Sequence, residues 1–203
     1  MMLALALLAL LAGGCRGPQP CVAVSSPDQT GQPVKRYDEF TRVTSISSAF
    51  VLTPDQEWTL AEEREDGLIH WGIELWLRAN SAAPTVDIAA RVSCLHRGEQ
   101  DDCVDCDNVC TPATGRVELL ADGQPIALPA AKFRRIPGST PEGESATAST
   151  ILLAAPAAAL APLEHARSVK LRVCGSIVAT LTAAEADNLR EFMRHLQFMM
   201  APR

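Results

Sequence analysis

The sequence predicts an α+β domain, a mostly antiparallel sheet or open β-sandwich with a C-terminal amphipathic helix packed on it. Three observations lead to this prediction. Several short stretches alternate apolar and polar residues with a period of two, most clearly over residues 68–78. Turn-forming pairs such as Asp122-Gly123 and Gly175-Ser176 separate some of these stretches. The C-terminal residues instead repeat apolar positions at helical spacing, which indicates a helix with one buried face.

Eight strands follow from this alternation. The clearest covers 68–78, and Ile69, Trp71, Ile73, Leu75 and Leu77 share its core face. The other predicted strands cover 43–52, 86–94, 117–120, 126–128, 147–153, 169–173 and 177–181.

Two further helical stretches and one loop are predicted between the strands. Thr53 and Pro54 resemble the N-cap and first position of a short helix. An Ala-rich segment over 156–166 indicates a second short helix, although it contains Pro162. The polar residues at 137–145 indicate a flexible loop.

The C-terminal helix begins with a recognisable cap. Thr182 is the expected N-cap, and Glu185 stands three residues later, as in a capping box. The apolar stripe of the helix comprises Ala186, Leu189, Phe192, Met193, Leu196, Met199 and Met200. We expect Leu189, Phe192 and Leu196 to pack over the sheet; the alternative is a docking surface for a partner.

The N-terminal residues indicate export. A Leu- and Ala-rich run from Leu3 to Ala12 is too short to span a bilayer and fits the apolar region of a signal peptide. It ends in Gly13-Gly14-Cys15 and resembles the lipobox of bacterial lipoprotein precursors. The resemblance implies that residues 1–14 are removed and that Cys15 carries lipid. The alternative is an ordinary secretory signal cut after Gly14, which leaves Cys15 as a thiol.

The same resemblance implies a place in the cell envelope. Arg16 follows the cysteine where an Asp would suggest retention in the inner membrane. We therefore expect the outer membrane, at its periplasmic or surface face. After Cys15 no apolar run reaches the roughly eighteen residues that a spanning helix needs, so the lipid on Cys15 is the expected membrane contact.

Composition divides the chain into three parts. After the signal peptide, residues 15–36 comprise the lipidated cysteine and a flexible tether rich in Pro, Gln, Ser and Gly. Residues 37–203 form a single β-rich domain with a Cys-rich loop over 94–115. The formal net charge of −6, without a cluster of Lys and Arg, argues against nucleic acid as a partner.

Six further cysteines are candidates for disulfide bonds, as expected in an exported protein. They are Cys21, Cys94, Cys103, Cys106, Cys110 and Cys174. We expect two bonds within 94–110, or one within it and one that reaches Cys21 or Cys174. Four neighbouring thiolates also suit zinc, but the surrounding carboxylates disfavour thiolate formation.

The acidic residues of this loop have a second interpretation. Carboxylate and amide oxygens suit calcium, although the spacing here lacks the pattern of a known calcium loop; the residues are Asp101, Asp102, Asp105, Asp107 and Asn108. The four histidines are scattered, with His96 nearest to the cysteines; they are His70, His96, His165 and His195. We expect neither a bound metal nor a cofactor.

One sequence feature is typical of an enzyme. Cys103 and Cys106 form a C-x-x-C pair, which exchanges disulfides when a thiol pKa is lowered. The neighbouring carboxylates instead raise that pKa, and no thioredoxin-like strand and helix pattern surrounds the pair. The motifs of hydrolases, zinc proteases and nucleotide-binding proteins do not occur in the sequence.

The resulting expectation is a lipid-anchored envelope protein whose β-rich domain is non-catalytic and binds or scaffolds an envelope partner. Two alternatives remain open. One is a thiol-disulfide oxidoreductase that uses Cys103 and Cys106, and the other is a metal- or calcium-stabilised binding module.

Overall fold

The computed structural model describes residues 31–55, 68–97, 110–139 and 145–201. Within these ranges the chain forms ten strands, one 3-10 helix (Ala157–Glu164) and one α-helix, α1 (Ala183–Met200). The strands are β1 (Val34–Asp38), β2 (Val43–Leu52), β3 (Leu68–Asn80), β4 (Thr85–Arg97), β5 (Val117–Ala121), β6 (Gln124–Ile126), β7 (Lys132–Ser139), β8 (Ser145–Pro156), β9 (Val169–Val173) and β10 (Ile177–Thr180). The chain is therefore a mixed, mostly antiparallel structure with a C-terminal helix, as expected for the α+β class.

Six strands form the larger sheet, sheet A, in the order β1-β2-β3-β4-β8-β7. Every neighbouring pair is antiparallel, and the first four strands follow one another as a meander. Strand β8 then pairs with β4 from Thr85↔Pro156 to His96↔Ser145. Strands β1 and β7 are consequently the two edges of this sheet.

Alternate residues of the central strands form one buried face of sheet A, called here the inner face. The pairing places Phe50 beside Leu75, Leu75 beside Ala90, and Ala90 beside Ile151, and all four side chains are buried. Ile73 and Leu77 lie on the same face and are buried as well. The predicted core face of β3 is confirmed at these positions, while the side chains of Ile69 and Trp71 lie outside the described part.

Four strands form the smaller sheet, sheet B, in the order β10-β9-β5-β6, and its pairs are antiparallel. The predicted turn at Asp122-Gly123 is confirmed: it joins β5 to β6, and both residues have positive φ, 50° and 79°. Two left-handed residues between paired strands form a type I′ turn, whose twist matches that of the strands. Asp followed by Gly tolerates this conformation because glycine has no Cβ.

The capping box of α1 is confirmed. The Glu185 backbone N donates to Thr182 Oγ1 at 3.3 Å, and the Thr182 backbone N donates to Glu185 Oε2 at 2.7 Å. The predicted apolar stripe is buried over most of its length, and Met199 and Met200 pack partly buried against the core. The fully buried positions are Ala186, Leu189, Phe192, Met193 and Leu196.

The Ala-rich segment folds as the 3-10 helix rather than as an α-helix, with Pro162 inside it. Leu160 and Leu163 are its buried residues. Arg190 of α1 donates from Nη1 to the carbonyl oxygen of Ala166 at 2.8 Å. This bond holds α1 beside the segment that follows the 3-10 helix.

Asp55 joins the end of a sheet A strand to sheet B. Asp55 follows β2, and its backbone N donates to the Val178 carbonyl oxygen at 2.7 Å. Its carboxylate accepts from the Thr180 backbone N and from Thr180 Oγ1, each at 2.6 Å. The end of β2 is therefore bound to the edge strand β10. Buried side chains of both sheets, of the 3-10 helix and of α1 belong to one continuous hydrophobic cluster.

The sequence prediction of a flexible loop over 137–145 is wrong at residues 137–139. They belong to strand β7; because β7 is an edge strand, it tolerates Pro137, which lacks a backbone donor. Residues 34–36, at the end of the predicted tether, pair with β2 in strand β1. The short helix predicted from Thr53 would continue into residues that lie outside the described part.

We expect Phe192→Ala to lower the free energy of unfolding by about 3–5 kcal/mol, because the ring is 0 % exposed and its removal leaves a cavity. Denaturant unfolding of the purified protein measures this loss. Phe198→Ala in the same helix is the matched control, since that ring is 77 % exposed and surface changes usually stay within about 0.5 kcal/mol. A loss below about 1 kcal/mol for Phe192→Ala would contradict the packing of α1 against the core.

Candidate functional site

Two of the predicted disulfide candidates are brought together. Cys110 and Cys174 form a disulfide, with their Cα atoms 4.9 Å apart, and both side chains are buried. Cys174 lies directly after β9 with a φ of 53°, and its backbone N donates to the Arg116 carbonyl oxygen at 3.1 Å. The bond therefore fixes the C-terminal end of the Cys-rich loop to sheet B.

The same point is tied to sheet A by an arginine. Arg135 of β7 donates from Nη2 to the Cys110 carbonyl oxygen at 2.6 Å. Gly115 lies so close to the ring of Phe133, also in β7, that a Cβ at position 115 would collide with it. Strand β7, the segment before β5 and the turn after β9 consequently meet around the disulfide.

A local turn orients the chain between Cys110 and β5. The Thr111 backbone N donates to Thr114 Oγ1 at 2.9 Å, and the Gly115 backbone N donates to the Thr111 carbonyl oxygen at 2.6 Å. Two threonines thus close the turn through their own hydroxyl and carbonyl groups. This turn keeps Cys110 in reach of Cys174.

The remaining predicted site residues are not brought together in the described ranges. Cys94 lies in β4, paired in register with Trp71 and Thr147. Cys15, Cys21, Cys103 and Cys106 lie outside these ranges, as do the acidic residues and Asn108 between positions 99 and 108. The predictions of lipidation, of thiol exchange and of a zinc or calcium site stay predictions.

The four histidines lie in three parts of the fold. His70 and His96 belong to β3 and β4, on neighbouring strands. His165 lies 3.6 Å from Glu164, and His195 lies 3.6 Å from Glu191, both at the surface. Among the described residues no group of three metal-binding side chains occurs, and no described helix is long and apolar enough to cross a membrane.

A shallow apolar groove lies between the 3-10 helix and the end of α1. Its volume is about 290 Å³, and methionine and alanine side chains form most of its wall. The lining residues are Ala157, Ala158, Ala161, Met193, Leu196, Gln197, Met200 and Ala201. Gln197 also donates to the Glu164 carboxylate, which bridges the two helices beside the groove.

The outer face of sheet A carries an apolar row that crosses four strands. The pairings Ala49↔Trp76, Trp76↔Ala89 and Ala89↔Leu152 place these residues side by side. Leu152 is 42 % exposed, and Trp76 is half-buried. Ala49 is buried and Ala89 is half-buried, so Trp76 and Leu152 are the large side chains of this row that reach solvent.

Charged residues border that row. Glu74 and Arg91 are paired in register, and their side chains form an ion pair at 3.7 Å. On the other side of the row, Arg78 and Asp87 are paired in register. The outer face therefore combines an apolar strip with opposite charges along its borders.

Three exposed aromatic residues lie along strand β1, and we call them the aromatic edge. They are Tyr37 in β1, Phe40 in the turn after it, and Phe198 of α1, which are 60 %, 100 % and 77 % exposed. Lys35 of β1 places Phe198 beside this strand, because its Nζ lies 5.8 Å from the centroid of the Phe198 ring. Lys35 and Tyr37 share one face of the strand, since side chains alternate along it.

The turn that presents Phe40 is held by Asp38. Its Oδ1 accepts from the backbone N of Phe40 at 2.9 Å and of Thr41 at 3.4 Å. A hydrogen bond from the Thr41 side chain, together with these backbone bonds, lowers the pKa of Asp38 below its usual value of 3.8. The carboxylate is ionised at neutral pH and fixes the backbone at Phe40, whose ring is fully exposed.

The comparisons with known proteins found no matching family model, no matching curated protein and no matching solved structure.

Sequence reasoning did not find the aromatic edge. Tyr37 stands at the predicted domain boundary, and Lys35 falls in the predicted tether. Aromatic residues in this polar stretch indicate a surface site only when the positions of strand β1 and of Phe198 in α1 are known. The mixture of Tyr, Phe and Lys over 35–40 is the one signal in the sequence, and it is weak.

We expect the double variant Cys110→Ala/Cys174→Ala to be about 4 kcal/mol less stable than the native protein, by the chain-entropy estimate for a 64-residue closed loop. Chemical unfolding monitored by fluorescence measures this difference. The control is the same double variant with and without a reductant, which reports what the other cysteines contribute. Equal unfolding midpoints for the native and double-variant proteins would contradict a stabilising bond.

Proposed function

We propose that the chain is a lipid-anchored protein of the bacterial envelope whose β-rich domain is non-catalytic and binds or scaffolds a partner. The lipid is attached to Cys15, and the domain is held at the outer membrane by the segment that follows it. The carrying observation is the buried bond between Cys110 and Cys174. Disulfides of this kind form in oxidising compartments and are rare in the cytosol, which supports export.

The proposal includes an arrangement of the two sheets. Sheets A and B face each other as an open β-sandwich, and α1 covers part of the inner face of sheet A. The single hydrophobic cluster supports this arrangement, since it contains buried residues of both sheets and of α1. The bonds of Asp55 with β10 and of Arg135 with Cys110 support it further, because they join the sheets at two separate points.

A binding role is supported by the surfaces that the domain exposes. The outer face of sheet A offers an apolar strip with charged borders, and Val51 and Leu152 are each more than two-fifths exposed there. Exposed apolar patches with polar rims are typical of interaction surfaces. Within the 94–110 segment, Cys110 forms a buried disulfide with Cys174. Its sulfur therefore has a structural rather than a reactive role.

We expect Cys15→Ser to abolish lipid attachment and to release the domain from the membrane fraction, because that sulfur is the proposed acylation site. The intact mass of the purified native protein should exceed that of the chain from Cys15 by the mass of acyl chains. Comparison with and without a reductant counts the disulfides in the same experiment. A native mass without acyl chains would refute the lipid anchor and leave a secreted domain.

We expect the native protein to be inactive in an insulin reduction assay and Cys103 to react slowly with an alkylating reagent near neutral pH. The physical reason is the surrounding carboxylates, which raise the pKa of the thiol. The variant Cys103→Ser is the matched control for both measurements. Rapid alkylation at Cys103, with a thiol pKa well below about 8.5, would favour the oxidoreductase instead.

A further inference from the structure

We propose that the aromatic edge rests on the surface of the membrane, with the rings of Tyr37, Phe40 and Phe198 among the lipid head groups. The inference rests on the proposed lipid anchor and deepens it, since it states how the domain lies on the bilayer. The observations that carry it are the exposure of these rings, the cations beside them and the point where the chain enters the domain.

Exposed aromatic side chains are concentrated at this edge. The chain has nine aromatic residues, and three of those that the structure describes are more than half exposed. All three belong to the aromatic edge. Phe40 is fully exposed at the tip of the β1–β2 turn, and removal of such a ring from water is favourable. A protruding ring suits a soft lipid phase, because insertion needs no matching cavity.

The polar groups among these rings suit a lipid head group. A Tyr ring enters an apolar phase while its hydroxyl group stays in contact with water. Lys35 carries its ammonium group on a long apolar stem, which lets the charge reach phosphate while the stem lies along apolar surface. Its Nζ stands 5.8 Å from the centre of the Phe198 ring, so a cation and an exposed ring are presented together. This pairing is typical of interfacial contacts.

The charge of the edge differs from that of the chain. Residues 34–42 contain three cations and two carboxylates, whereas the whole chain has a formal net charge of −6. The cations are Lys35, Arg36 and Arg42. An anionic membrane therefore attracts this side and repels the rest, which orients the domain.

The anchor keeps this side of the domain within reach of the membrane. Gly31, the first described residue, lies against the ring of Phe50 in β2 and leads directly into β1. It lies sixteen positions after Cys15, and such a length of chain spans at most about 56 Å. A contact too weak to bind a free protein is effective when a tether raises the local concentration of the surface.

A second copy of the chain fits this edge less well. Antiparallel pairing of β1 with its copy about a twofold axis at Arg36 would place two arginines opposite each other. Like charges directly opposite are destabilising in a sheet, and charged residues on an edge strand are a common protection against such pairing. Lipid phosphate, in contrast, is complementary to the same cations.

The test uses the mature protein, reconstituted in vesicles of phosphatidylethanolamine and phosphatidylglycerol that contain lipids brominated near the head group. Phe40→Trp and Phe198→Trp are made one at a time, and quenching of the added indole by bromine is measured against the unsubstituted protein. Leu152→Trp on the outer face of sheet A is the matched control, since that position is also exposed but lies away from β1. Unfolding midpoints verify that each variant is folded.

We expect quenching of Phe40→Trp and Phe198→Trp to exceed that of Leu152→Trp severalfold. Adding Lys35→Glu to either variant should reduce it. Equal quenching at all three positions, or none at any of them, in a protein whose mass shows acyl chains would overturn the membrane contact and leave the anchor intact. Absence of acyl chains with selective quenching would refute the anchor alone. A change in Phe40→Trp emission only on addition of solubilised envelope proteins would assign the edge to a protein partner instead.

Discussion

The burial of the inner face of sheet A is the constraint on which the other features depend. Its period of two fixes the register of four central strands, because a shift by one residue would expose the rows that contain Phe50, Leu75 and Ile151. The same burial determines the direction in which α1 lies, since Phe192 and its neighbours have to cover apolar surface that would otherwise face water. Once this face is fixed, the outer face of sheet A and the aromatic edge are the sides left to solvent.

Polar contacts decide where the two sheets meet, and they are distant in sequence. Asp55 binds Thr180, which is 125 residues later, and Arg135 reaches Cys110, which is 25 residues earlier. Neither contact is part of the strand pairing within one sheet. Both add a defined geometry where the sheets meet, since the hydrophobic effect has no direction of its own and hydrogen bonds require a defined geometry.

The sequence predicts the elements that carry a local signal and misses those that do not. Strand β2, the turn at Asp122-Gly123 and the capping box at Thr182 follow from alternation, backbone conformation and side-chain chemistry over a few residues. Strands β1 and β7 are edge strands with exposed or proline-containing sequences, so they lack the apolar alternation that identifies a buried strand. The choice of Cys174 as the partner of Cys110 depends on the fold of the whole domain, and spacing along the chain does not determine it.

The proposed lipid contact has a consequence for the far side of the domain. If strand β1 lies on the bilayer, sheet A stands on its edge, and its six strands place β7 about 24 Å above the surface. Arg135 of β7 binds the Cys110 carbonyl oxygen, and Cys110 is bonded to Cys174. This disulfide would therefore lie at the end of the domain remote from the lipid. The outer face of sheet A then stands upright beside the membrane, where a neighbouring envelope protein can reach its apolar strip. In the proposed arrangement one edge would hold the domain while a face and the opposite edge would stay available, which is the division of surfaces that an anchored binding protein requires.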